Sequence, residues 1–208
     1  MQPALVEGSV YGVALNFKAA FAALGDAVNR DPYKKPPVAP VLYLKPANTW
    51  IPNGAPIPCP PGVQLSMGGT LGVVIDRAQP GLIGGYRIVN SVSIPHASYY
   101  RPAIREQCRD GFCPIGEEVK KSALADADAA VIRIFVNGEL RAANSTANLV
   151  RGVARLIADI SEFMTLQTGD LLLPGEPDNA PLAGAGDHVR VEIDGLGSLE
   201  NPVEPELG

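Results

Sequence analysis

The chain has 208 residues, 46% of them hydrophobic and 19% charged, which suits one domain with a sizeable core. A net charge of -5 and the lack of any Lys/Arg run argue against nucleic acid or an anionic membrane surface as partner. No charged stretch leads into an apolar one near the start and no apolar run has membrane-spanning length, so the expected location is the cytoplasm.

Val10 to Leu15 reads as a strand running into a turn at Asn16, and alanine-rich Lys18 to Leu24 as a short helix. Asp31 to Pro40 carries four prolines and is expected to be a loop. Val41 to Lys45 is a short strand stopped by Pro46, and proline-dense Ile51 to Gly62 is extended. Leu71 to Asp76 and Tyr86 to Ser93 read as strands. Tyr99 to Cys113 is polar, basic and aromatic, a loop or short helix.

Val131 to Val136 alternates, and Asn137-Gly138 after it signals a hairpin turn. Leu149, Val153, Leu156, Ile157, Ile160 and Met164 recur at three- and four-residue spacing, which predicts a helix from Ala147 to Met164. Leu171 to Leu173 and Val189 to Ile193 are two last strands. Strands outnumber helices and do not alternate strictly with them, so the expected class is α+β, a curled mixed sheet with a few flanking helices in a single domain spanning 1–208. The apolar end segment with Leu172, Leu173 and Val203 points to association with another subunit.

Generic motifs are mostly absent. There is no phosphate-binding G-x-x-x-x-G-K-[ST], no G-x-G-x-x-G after a strand and no G-x-S-x-G nucleophile elbow. Two histidines, His96 and His188, are too few for a multi-histidine metal site. Cys59, Cys108 and Cys113 lack C-x-x-C spacing and are expected as reduced thiols. His96 is a loop histidine, either structural or a proton-transfer group near neutral pH. Arg101, Arg105 and Arg109 recur every four residues; on a helix they would share one face, either an exposed basic stripe or a dicarboxylate clamp.

Four segments together resemble the fumarylacetoacetate hydrolase family. They are Gly12-Val13-Ala14-Leu15-Asn16-Phe17, Tyr43-Leu44-Lys45-Pro46, Leu71-Gly72-Val73-Val74-Ile75, and Phe163-Met164-Thr165-Leu166 with Gly169-Asp170. Within that family, Ser98 to Ile104, Cys108 to Gly116, Asp31 to Lys34 and Leu199 to Val203 are most similar to the amino-terminal module of two-module isomerase/decarboxylases of 4-hydroxyphenylacetate (homoprotocatechuate) catabolism. The resemblance covers roughly residues 9 to 205.

The resemblance implies a curled β-roll and an enzyme of 2-oxo or 1,3-dicarbonyl acids. It also implies Mg²⁺ or Mn²⁺, held by an E-x-E and an Asp, which would stabilise an enolate. Carried over residue by residue, the E-x-E falls on Gly68-Gly69-Thr70 and the Asp on Ser91. The lid His and Glu fall near Ala20 and Ala23, the active-site lysine near Gln107, and the G-T-P on Gly175-Glu176-Pro177. No metal is therefore expected in this chain; Mg²⁺ or Mn²⁺ is expected in a paralogous partner subunit.

Three functions are implied. The preferred one is a subunit of the enzyme that turns 5-oxopent-3-ene-1,2,5-tricarboxylate towards 2-hydroxyhepta-2,4-diene-1,7-dioate. The others are a self-sufficient hydrolase or decarboxylase of 2-oxo acids, and a non-catalytic scaffold. Lys45 and His96 are the catalytic candidates; Arg101, Arg105, Arg109, Asn16 and Asn90 are the substrate-binding candidates. A homo-oligomer, or a hetero-oligomer with the metal-bearing paralogue, is the expected assembly.

Overall fold

The computed structural model describes residues 5–96, 98–177 and 179–206. The first half of the chain holds β1 (Val10–Ala14), α1 (Lys18–Ala23), β2 (Val41–Lys45), β3 (Trp50–Pro52), β4 (Ile57–Cys59), β5 (Leu65–Ile75) and β6 (Ile83–Ser93). Next come α2 (Ile104–Gln107), β7 (Cys113–Ile115), β8 (Val119–Lys120), β9 (Val131–Val136) and β10 (Glu139–Ser145). The chain then forms α3 (Val153–Ser161), β11 (Leu171–Leu173), β12 (Leu182–Ala183), β13 (His188–Ile193) and β14 (Gly197–Pro205).

Two mixed sheets form. The larger runs β2-β1-β11-β5-β6-β7-β3, with β12 also on β5 and β8 also on β6; the smaller runs β10-β9-β13-β14-β4. This is the expected class, a curled half-barrel with few helices. β5 and β6, eleven residues each, are its spine, and their antiparallel register sets Gly68 opposite Ser91 and Gly69 opposite Asn90.

Period-two alternation splits the spine into two faces. Met67, Leu71, Val73, Ile88 and Val92 pack in the main core with Ile132, Ile134, Val189, Val191 and Leu199 of the smaller sheet. Each such side chain stabilises the fold by roughly 1.5–3 kcal/mol on burial. Gly69 belongs to this face, and a Cβ there would come within 2.9 Å of Ile134 and Val191. The other face carries Gly68, Thr70 and Ser91 into the curl. It meets Val10, Leu171 and Leu173 in a second cluster.

The curl is drawn together by Lys45. From edge strand β2 its Nζ donates to the carbonyls of Val92 (2.6 Å), Gln107 (2.9 Å) and Phe112 (3.1 Å). Trp50 Nε1 donates back to the Lys45 carbonyl at 2.7 Å, just before β3 pairs with β7. The chain thus passes from one edge of the larger sheet to the other within a few residues.

Three expectations need correction. The helix starts at Val153, not Ala147, because the preceding backbone is bonded elsewhere. Val150 N donates to the Asn16 carbonyl at 2.6 Å and Arg151 N to Asn16 Oδ1 at 3.0 Å, and Leu149 and Gly152 on either side are extended. The arginine periodicity does not form a helix face: α2 is only Ile104–Gln107, so Arg101 and Arg109 lie outside it. Leu172, Leu173 and Val203 are buried in the fold's own core and offer no association surface. The hairpin at Asn137-Gly138 forms as expected, with both residues at positive φ (53° and 80°).

Candidate active site

The site grows from two glycines. Gly12 on β1 pairs with Tyr43 on β2, and a Cβ at Gly12 would fall inside the Tyr43 ring. The ring therefore lies across β1, and its hydroxyl reaches Ser91 Oγ at 3.1 Å. The same hydroxyl donates to Glu176 Oε1 in a short hydrogen bond. The carboxylate rests above Gly68, where a Cβ would stand 2.9 Å from Glu176 Oε2 and 2.6 Å from the Ser91 carbonyl. Glu176 Oε2 has no hydrogen-bond partner among the described residues.

The loop bearing Glu176 is fixed from beneath. Thr70 Oγ1 donates to the Gly175 carbonyl at 2.6 Å, and Asn16 Nδ2 to the Pro174 carbonyl at 2.7 Å and the Arg151 carbonyl at 2.9 Å. Burial, and then the neighbouring Glu176 charge, push the Tyr43 phenol well above its ordinary pKa, so Tyr43 stays a neutral donor.

In front of Glu176 opens a cavity of about 370 Å³, lined also by Tyr43, Ser66, Ser93, His96 and Gln107. A second lobe of about 240 Å³ shares Ala14, Tyr43, His96, Tyr99 and Gln107 with it and adds Arg101. His96 Nδ1 is 3.3 Å from the Ser98 carbonyl and its Nε2 is 3.3 Å from Gln107 Nε2. A neutral ring that donates from Nδ1 and accepts at Nε2 satisfies both contacts. Ala20 and Gln107, the positions matched to the family's lid and lysine, both line the main cavity.

The expected site residues divide accordingly. His96 and Arg101 face the two lobes, and Arg101 has no polar partner among the described residues. Arg105 is exposed and lines neither lobe. Arg109 does not face the cavity; it holds both oxygens of Glu206 at 2.7 Å and so ties the end of β14 to the loop before β7. Lys45 lines neither lobe, and its ammonium donates to three carbonyls. Burial lowers its pKa, with Cys113, Glu176 and Cys108 pulling it back up. Asn16 acts on the Glu176 loop, and Asn90 points into the core, its Nδ2 3.4 Å from Met67 Sδ and its Oδ1 unpartnered.

Tyr43 and Glu176 were missed as site residues. The signal was their context: an acid stands at the position matched to the family's G-T-P in a chain with no acid at the positions matched to its E-x-E. A hard dication needs several anionic oxygens, and here one carboxylate sits among neutral hydroxyls of Tyr43, Thr70 and Ser91. Those residues do not fit such an ion. Among the described residues no group of three or more His, Cys, Asp or Glu comes together.

The fold and the order of the motifs agree with a family model for the C-terminal domain of fumarylacetoacetate (FAA) hydrolase, which matches residues 9–204. This chain belongs to the fumarylacetoacetate hydrolase family. Its relatives in the family include the 4-hydroxyphenylacetate degradation bifunctional isomerase/decarboxylase of Escherichia coli, 40% identical over 209 residues. That match covers 97% of this chain and 48% of the relative, so this family member spans about half the length of the curated relative. Among solved structures, the 5-carboxymethyl-2-hydroxymuconate delta-isomerase from Mycobacterium smegmatis superposes with a TM-score of 0.78 at 29% identity, over 99% of this chain and 82% of the other. The 2-hydroxyhepta-2,4-diene-1,7-dioate isomerase from Mycobacterium marinum gives 0.76 at 29% identity, over 98% and 76%. Among the described residues no helix is long and apolar enough to cross a membrane.

Proposed function

We propose that this chain is one subunit of an isomerase/decarboxylase of aromatic breakdown, acting on unsaturated diacids and triacids of the 4-hydroxyphenylacetate route. It would work beside a paralogous subunit that carries the Mg²⁺ or Mn²⁺. The conversion would be that of 5-oxopent-3-ene-1,2,5-tricarboxylate towards 2-hydroxyhepta-2,4-diene-1,7-dioate. Support comes from the half-length match to a bifunctional isomerase/decarboxylase and from the likeness to two isomerases, one named for a diacid and one for a triacid.

The observation that carries the metal-free reading is Glu176 above Gly68. Its carboxylate, tied to Tyr43, fills the space in which the family's first ligand would stand. Loss of a carboxylate that is conjugated to the keto group through the intervening double bond leaves a dienolate, and a divalent cation stabilises that charge well. In this reading the cation belongs to the partner. The test mixes the purified chain with a metal-bearing paralogue and follows loss of the tricarboxylate with Mg²⁺. The mixture should exceed the sum of the separate rates; simple additivity removes the proposal.

A second reading is a self-sufficient enzyme, and the two-lobed cavity favours it. That cavity joins a carboxylate, an imidazole and an unpaired guanidinium. Turnover by the chain alone, at a rate no partner increases, would select it.

A further inference from the structure

We infer that Glu176 is a proton-transfer base in its own right, moving a proton on the carbon next to the keto group of a 2-oxo diacid without a metal. The inference rests on the proposed substrate class and deepens it by naming the group that touches the substrate.

Four observations converge on Glu176. Its Oε2 has no partner among the described residues while its Oε1 is held by Tyr43, so one oxygen is anchored and the other is available to act. The side chain lines the main cavity and is the one carboxylate among its described lining residues. Two glycines make the arrangement possible, Gly12 under the Tyr43 ring and Gly68 under the carboxylate. Thr70 and Asn16 fix the backbone on which Glu176 stands, at 2.6 and 2.7 Å. Buried hydroxyl and amide groups of this kind hold a general base in place against thermal wandering. Arg101 in the adjoining lobe offers a guanidinium for a substrate carboxylate.

The step balances without a cofactor. Glu176 Oε2 takes a proton from C3 of the 2-oxo diacid. The C–H electron pair becomes the C2=C3 bond, and the keto oxygen takes a proton from water. Glu176 exchanges its new proton with solvent, and the reverse step returns a solvent-derived proton from Glu176 to carbon while the enol gives its proton to the hydroxide that the water left. Tyr43 is a positioning residue: its neutral hydroxyl stays on Oε1 throughout and does not touch the substrate.

The test uses the whole purified chain in D₂O with excess EDTA and 2-oxoheptanedioate as probe, following the C3 hydrogens by proton NMR. The wild type should exchange them at least about a hundredfold faster than buffer, the scale of general-base catalysis. Glu176→Gln should fall to the buffer rate. Tyr43→Phe should lose about tenfold in rate at saturating probe, the scale of one lost hydrogen bond, with the probe Kd within about twofold of wild type. That split separates positioning from mere folding.

A wild-type chain that exchanges no faster than buffer overturns the inference, as does a folded Glu176→Gln that exchanges like wild type. Should Glu176→Gln fail to fold, Glu176→Asp decides. It draws the carboxylate back by one methylene and should cost at least about tenfold with an unchanged melting midpoint, and a wild-type rate there is equally fatal. Failed exchange with successful reconstitution beside the metal-bearing paralogue removes Glu176 as base and keeps the subunit reading. Exchange without reconstitution does the reverse.

Discussion

The ring of Tyr43 occupies the space in which a side chain at Gly12 would stand, so a missing methyl on β1 is what lets β2 deliver a hydroxyl to Glu176 and Ser91. Gly12→Ala should therefore act at the site as well as on the fold. Overpacking of this kind costs about 1–3 kcal/mol. Chemical denaturation should show a loss in that range, and proton exchange at saturating probe should slow in the same variant. A variant with wild-type stability and exchange rate would mean that Tyr43 finds another rotamer freely.

Metal titration is the second check. Calorimetry with Mg²⁺ and with Mn²⁺ should give no stoichiometric site, because Gly68 has no side chain and Thr70, Ser91 and Tyr43 carry no charge. A 1:1 isotherm that disappears in Ser91→Ala or Glu176→Gln would place an ion in the curl after all.

Lys45→Met should behave as a core lesion. Three buried carbonyls lose their charged donor, and an unsatisfied buried acceptor costs about 1–3 kcal/mol. Unfolding free energy should drop by about 2–4 kcal/mol, the cost of more than one such acceptor. Proton exchange by whatever fraction remains folded should keep its wild-type rate per molecule; a stable but inactive variant would return Lys45 to the catalytic list.

Two arginines separate by function. Arg101→Ala should weaken a diacid roughly tenfold, since a charge-assisted bond is worth about 1.5–3 kcal/mol, with no change in melting midpoint. Arg109→Ala should leave affinity alone. It should lower stability by up to about 1 kcal/mol, because its bidentate pair with Glu206 is partly solvent-exposed. Paired titration and melting curves on both variants decide; exchanged phenotypes would refute the assignment.

The alkaline limb of stability tests Tyr43. Its folded pKa is raised well above the ordinary 10.0, first by burial and then by Glu176. The neutral phenol's contribution is therefore fully present below about pH 10 and is lost as pH climbs towards the folded pKa. The stability difference between wild type and Tyr43→Phe should be flat from pH 7 to 9 and shrink above 10. A difference that grows with pH would mean that the phenolate is the favoured form in the fold.

The sequence by itself determined the family, the α+β class and most strands, because those rest on short-range pattern. Alternation in Val131 to Val136, the Asn137-Gly138 turn and the ordered motif strings need no knowledge of distant contacts. That Gly68, Thr70 and Ser91, the positions the resemblance matches to the family's metal ligands, carry no acids was legible for the same reason. What only the tertiary structure decided was which polar groups face which neighbours. Lys45 and Asn16 look like site residues in the chain, yet both are spent on carbonyls more than 40 positions away. Arg109 looks like Arg101, yet it meets Glu206, 97 residues later. Glu176 does not stand out in the chain, 133 residues from Tyr43, and meets it beside the cavity only because the sheet curls. A side chain's chemistry is fixed by its type, but its partner is fixed by the closing of the curl, and that closure is a long-range property no local pattern encodes.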